Sequence, residues 1–506
     1  MSNTRVKQGF RVPLRIRNLG LALLALIAAA VIWLATRDPV LTTPALPAAA
    51  SAELRQASEA LTSYDVRASF QPDRRALTAR ERVAYTNNTG RALEAVRLRS
   101  YANAFASAQT SPAATTELYE LCYKKGFSPG GITVVSVQVG NTSAEWSYED
   151  EAGTVMKVVT PALAPGESVV ITLTYTILIP ECAYRFGISG NVAVLHNMLP
   201  TVAMWDGDWR LEPYYPIGDP FVSECANWRV ELTMPDGWSA AASGAMVSVS
   251  PLVYEALAVR DFSLILSNRY VFSQTVVNGT TVTAYAKTSG EARALARDAA
   301  SALKVFNGLY GDYPWPSYDV AAADIPFGGM ESSGLSVISA SSAADSSARP
   351  LAVAHETAHQ WFHALVGNDE LREPWLDEAL CVYAVTQFIQ DTQGEAAFAD
   401  YVATEIEPSM RLTIPRGVTI GSPVELFASW NEYRTIVYQR GASMMLGLRE
   451  AMGGAKLNEA LALYVKDAPF GMADRSSLMD ALSRATGSDW EGFMVDYLDT
   501  YILGGW

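Results

Sequence analysis

The sequence predicts a multidomain α+β chain, and three observations carry that prediction. Residues 52–288 are rich in short runs of alternating apolar and polar residues, the period of strands. From Ser289 onward the apolar spacing becomes helical. Ahead of both lies one continuous apolar run, Leu19 to Ala35. At 506 residues the chain is too long for a single core, and 49% hydrophobic with 18% charged residues describes a globular protein.

Residues 1–18 carry Arg5, Lys7, Arg11, Arg15 and Arg17 and no acid. The uncharged stretch 19–35 spans roughly 26 Å as a helix, the short end for a bilayer crossing. It is longer than a usual signal-peptide core, and no convincing A-x-A cleavage site follows. An uncleaved signal anchor is expected, with the amino terminus cytoplasmic because the positive charges precede the run. Residues 36–51 read as a Pro/Ala-rich tether. In 52–288, Tyr64–Phe70, Val169–Tyr175, Trp228–Met234 and Thr280–Tyr285 alternate. Asn88-Thr89-Gly90, Pro165-Gly166, Pro235-Asp236-Gly237 and Asn278-Gly279 supply turns between strands. An antiparallel sandwich or saddle follows. In 289–506, Glu291–Leu309 reads as one helix, Tyr318–Asp324 and Leu335–Ser339 as strands, and nearly everything after Ser346 as helix.

Three of the four histidines fall in His355-Glu356-Thr357-Ala358-His359-Gln360-Trp361-Phe362-His363. The first five residues spell H-E-x-x-H. On a helix, positions i and i+4 share a face, so His355 and His359 can hold one zinc ion, with Glu356 as general base on a water it activates. Pro350 suits the first turn of this helix and Gly367 the position past its end. His363 lies a further turn along the same expected helix, too far to share the ion, and is read as a residue behind the site or on the surface. A catalytic zinc keeps three protein ligands. Glu378, 19 residues after His359 and on a helix expected from Asp377 to Phe388, is the preferred third, with Glu373 and Asp377 as rival carboxylates.

The segment resembles the zinc aminopeptidases of the gluzincin group, the membrane alanyl aminopeptidase type. That family reads H-E-x-x-H-x-W-F-G-N and then W-L-N-E-G; here stand H-E-T-A-H-Q-W-F-H-A and W-L-D-E-A, departing at His363, Asp377 and Ala379. Gly328-Gly329-Met330-Glu331-Ser332 resembles the family's G-x-M-E-N, an edge strand over the cleft. The resemblance implies that Gly328, Gly329, Met330 and Glu331 bind substrate and that Glu331 holds the free amino terminus. Ser332 replaces the family asparagine. Val437-Tyr438-Gln439-Arg440-Gly441-Ala442 resembles V-Y-x-K-G-A, which implies oxyanion stabilisation by Tyr438. Tyr433 is the alternative, and Arg440 replaces a lysine. The resemblance also implies a thermolysin-like catalytic domain, without the family's large carboxy-terminal helical domain.

The expected function is a membrane-anchored zinc aminopeptidase with an extracytoplasmic active site, acting on peptides with a free amino terminus. Alternatives are a thermolysin-like endopeptidase, an epoxide-hydrolase-type relative on the same zinc, and a catalytically silent binding protein. A net charge of −15 leaves no basic footprint for nucleic acid. Of Cys122, Cys182, Cys225 and Cys381, the first two are the preferred disulfide and Cys381 a buried thiol. A second anchor for the substrate amine has no recognisable position in the β-rich part.

Overall fold

The alternation from Tyr64 to Phe70 becomes the strand Ser63–Gln71, central in an eight-stranded sheet. The computed structural model describes residues 44–413 and 417–499. The expected anchor 19–35 and its basic flank lie outside them. Among the described residues no helix is long and apolar enough to cross a membrane. The end of the expected tether lies on the body: the Ala45 amide donates to Gln274 Oε1 at 2.8 Å, and Ala50 packs against the core.

In the large sheet, Ser63–Gln71 pairs antiparallel with Ala76–Thr86, which pairs with Ser168–Leu178. On its other side it pairs with Ala226–Thr233, and this pair is parallel. The expected all-antiparallel domain is therefore mixed at its centre, because a long excursion separates the two strands and brings the chain back in the same direction. Two four-stranded sheets accompany it. Inward side chains such as Val66, Val83, Leu173 and Val230 are fully buried and build the core between layers. All four cysteines are buried free thiols, so the expected Cys122–Cys182 bridge is not formed.

The helical half rests on a five-stranded sheet. Its strand order runs Val271–Val277, Thr280–Ala286, Ser317–Ala323, Leu335–Ser339 and, at the edge, Gly329–Ser332. The expected boundary at 288/289 cuts this sheet: its first two strands precede Ser289, yet Thr280–Ala286 pairs in parallel with Ser317–Ala323. The helix Ser289–Tyr310 connects them, the crossover that a parallel pair of strands needs. Thr288 caps it by accepting from the Glu291 amide at 3.2 Å.

Candidate metal centre and active site

The H-E-x-x-H segment lies on the helix Ala348–Ala358, bound to the long helix by an ion pair of 2.6 Å between Arg349 and Asp298. Val353, Ala354 and Ala358 bury its inner face completely. Its outer face carries His355 and His359, whose ring centres are 4.8 Å apart. The helix does not run straight to Leu365. The Ala364 amide reaches back to His359 O and the Val366 amide to Trp361 O, each five residues away, in a widened turn. Phe362 leaves helical geometry there. His363 is therefore turned off the helical track and buried, with Nδ1 2.6 Å from Glu370 Oε1. The break thus sets His363 against Glu370 on a track that a straight helix would not give it.

Glu378 comes from the next helix, Trp375–Gln393, which begins two residues ahead of the expected Asp377 because Pro374 already has helical backbone angles. Its Oε2 lies 3.2 Å from His355 Nε2 and 3.5 Å from His359 Nε2, and the two Nε2 atoms are 3.2 Å apart. Ligand atoms held about 2.1 Å from a tetrahedral zinc lie about 3.4 Å from one another. The three atoms fit such an ion in both spacing and donor type. Of the rival carboxylates, Glu373 accepts from the Arg475 amide, and Asp377 lies with His363 and Glu370. Burial pushes the Glu378 carboxyl up, but the facing imidazoles of His359 and His355 outweigh it and hold the group below the usual range. Burial lowers His355. It acts the same way on His359, where Cys381, Glu331 and Glu378 reverse the sign and raise the ring well above its usual value.

Glu356 is 4% exposed, and its Oε2 has no hydrogen-bond partner. Burial raises its carboxyl well above the ordinary value, with Glu331, Glu378 and Asp219 adding to the rise. Gly329 lies against it, and a Cβ at that position would overlap the Glu356 carboxylate. The edge strand Gly329–Ser332 can approach the helix only because residue 329 has no side chain. Two residues on, Glu331 is 5% exposed and raised to about 8 by burial and by nearby Asp219. Ser332 turns inward: its hydroxyl lies 2.7 Å from His196 Nδ1 and donates to Ser263 Oγ at 2.9 Å.

Tyr438 sits in the segment Arg434–Arg440 that leads into the helix Gly441–Met452. Its hydroxyl donates to Glu378 Oε1, and its ring stacks on His355 with centres 5.8 Å apart. Tyr433 packs edge-on against Tyr438 with 1% exposure, behind the site. A cavity of about 460 Å³ joins Gly328 through Glu331, His355, Glu356, Glu378 and Tyr438. Leu118, Arg185 and Asp219 of the β-rich half also line it, the last two paired at 2.6 Å. Sequence reading missed Arg185 and Asp219, since Gly218-Asp219-Pro220 has the composition of an ordinary turn.

Residues 296–497 match the sequence pattern described as Peptidase family M1 domain. Aminopeptidase M1-D of Oryza sativa subsp. japonica is 28% identical over 200 residues, 37% of this chain and 23% of its own length. Aminopeptidase N of Lactococcus lactis subsp. lactis is 29% identical over 218 residues, 37% of this chain and 24% of its own length. The matches thus span about a quarter of these relatives. An M1 zinc metallopeptidase from Deinococcus radiodurans shares the fold over much more: TM-score 0.60, 19% identity, 91% of this chain and 97% of that one. The matched residues include the H-E-x-x-H helix, Glu378 and Tyr438, while Asp219, on the wall of the same cavity, comes from outside them.

Proposed function

We propose that the chain is a zinc-dependent aminopeptidase. The observation that carries this is the position of Glu331: a buried carboxylate on an edge strand, in the same cavity as His355, Glu356 and Glu378. A carboxylate there receives the charged amino terminus of a peptide and fixes which bond faces Glu356. Asp219, oriented by Arg185, offers a second acceptor from the β-rich half, the anchor that sequence alone did not locate. The M1 relatives named aminopeptidases, and the Deinococcus radiodurans enzyme solved with a Tyr-Ser-Ala substrate, support the same reading.

In this mechanism His355, His359 and Glu378 hold zinc. When bound, zinc supplies Lewis acidity that lowers the pKa of water and polarises a carbonyl. Glu356 takes the proton of the attacking water, a role suited to a carboxyl whose pKa is raised, and delivers it to the departing amine. Tyr438 moves its hydrogen bond from Glu378 to the developing oxyanion. Glu331 and Asp219 hold the amine, so cleavage follows the first residue. Attachment to a membrane through residues 19–35, with the enzyme outside, belongs to the same proposal and rests on the charge asymmetry of the amino terminus. Protease accessibility of a tagged chain in intact cells checks it.

The deciding experiment is a panel of fluorogenic aminoacyl substrates, free and amino-blocked, with and without a chelator. Cleavage of free substrates alone, lost on chelation and restored by zinc, is expected. Equal cleavage of acetyl-blocked peptides would replace the proposal with an endopeptidase. No cleavage by a zinc-loaded chain would leave a binding protein.

A further inference from the structure

Two of the positions that depart from the family motifs, His363 and Asp377, come together in space. With Glu370 they place one nitrogen or oxygen ligand atom each within 4.8 Å of the others. None of the three lines the cleft cavity. All are deeply buried, with exposures of 7%, 3% and 2% for His363, Glu370 and Asp377. His363 Nδ1 is engaged by Glu370 Oε1, but His363 Nε2 and Glu370 Oε2 are buried without a hydrogen-bond partner. Asp377 gives one oxygen to the Glu378 amide at 2.7 Å.

The cluster also lacks a compensating cation. Among the described residues no lysine or arginine forms an ion pair with Glu370 or Asp377. The nearby guanidinium of Arg260 is spent on the carbonyl oxygens of His363, Ser223 and Gly471 and on the sulfur of Met472. Two buried carboxylates with no lysine or arginine paired to them are costly, and such groups are ordinarily paired or bind metal.

We propose that His363, Glu370 and Asp377 form a second divalent-cation site, separate from the one at His355, His359 and Glu378. One imidazole and two carboxylates, without thiolate, suit zinc or manganese(II). The ion neutralises the two carboxylates and links the loop carrying Glu370 to the first turn of the helix carrying Glu378. It takes no part in the reaction.

The test is a metal count on the full chain, stripped with chelator and returned to excess Zn²⁺, then desalted and measured by mass spectrometry. Wild type is expected to hold two ions. His363→Gln and Glu370→Gln are each expected to hold one, and His355→Gln also one. A wild type that holds a single ion, or His363→Gln and Glu370→Gln proteins that still hold two, would overturn the proposal. If those variants fail to fold, anomalous scattering at the zinc edge from wild-type crystals decides. A peak beside His363 and Glu370 supports the site, and a lone peak at His355 removes it. The two zinc readings fail separately, since His355→Gln tests only the catalytic one.

Discussion

Glu81 and Glu378 are both buried glutamates, and they titrate in opposite directions. Glu81 lies in the eight-stranded sheet with no exposure, accepts one hydrogen bond of 2.7 Å from Tyr175, and is raised by burial to about 8. Glu378 is as deeply buried, yet two imidazoles face it and hold it below the usual range. The β-rich half buries a carboxylate where nothing positive meets it. The helical half buries several, and sets two imidazoles against Glu378 at the point where a metal fits. The scaffold thus limits a buried charge, while the site is arranged to attract one.

Substitutions at the site should change turnover and spare stability, and those in the scaffold should do the reverse. The largest effect is expected from Glu356→Gln, which should cut kcat by on the order of 10⁴-fold while the zinc content stays at the wild-type value. Wild-type turnover in that protein would remove the proton-transfer role. Next, Tyr438→Phe should lower kcat by on the order of 10²-fold with little change in KM, the signature of a contact made in the transition state. An unchanged kcat would return the role to Tyr433 or to none.

Glu81→Gln belongs to the scaffold. The folded protein holds its proton up to about pH 8, whereas the unfolded chain releases it near 4.5. Between those values the folded state binds more protons, so wild-type stability falls as pH rises through this window. The variant should lack that fall. Above pH 8 it should exceed wild type by on the order of 3 kcal/mol in denaturant titrations, with kcat unaltered. A pH profile identical to wild type would show that Glu81 is not the group responsible. The smallest effect is expected from Thr288→Ala, which removes the cap of the long helix and should cost about 1 kcal/mol without altering zinc binding. A larger loss of activity than of stability would mean that this helix end reaches the site.

Much of this division is legible in the sequence because it follows local rules. Strand alternation marks Ser63–Gln71 and Leu335–Ser339, and i, i+4 spacing marks the histidine pair. The missed features are those that no period encodes. The widened turn at Gln360–Leu365 changes which atoms bond without changing which residues are apolar, so His363 read as part of a straight helix. The strands 271–286 alternate like those before them, and only their pairing assigns them to the helical half. Asp219 reaches the cleft through the tertiary fold from a loop of turn-forming residues. Tyr433 and Tyr438 are indistinguishable by composition; the family resemblance favours Tyr438, and it is Tyr438 that lies against His355 and Glu378.

Gly441 faces Ala379 across a contact where a Cβ on the glycine would lie 2.5 Å from that of the alanine. The helices that carry Glu378 and Tyr438 therefore touch backbone to backbone, one residue beyond the first of these side chains and three beyond the second. The spacing between ligand and phenol is a property of the main chain, insulated from rotamer changes elsewhere in the core. An engineer reshaping the cavity by exchanging its wall residues can thus leave the alignment of the chemistry intact, provided that residues 379 and 441 stay small.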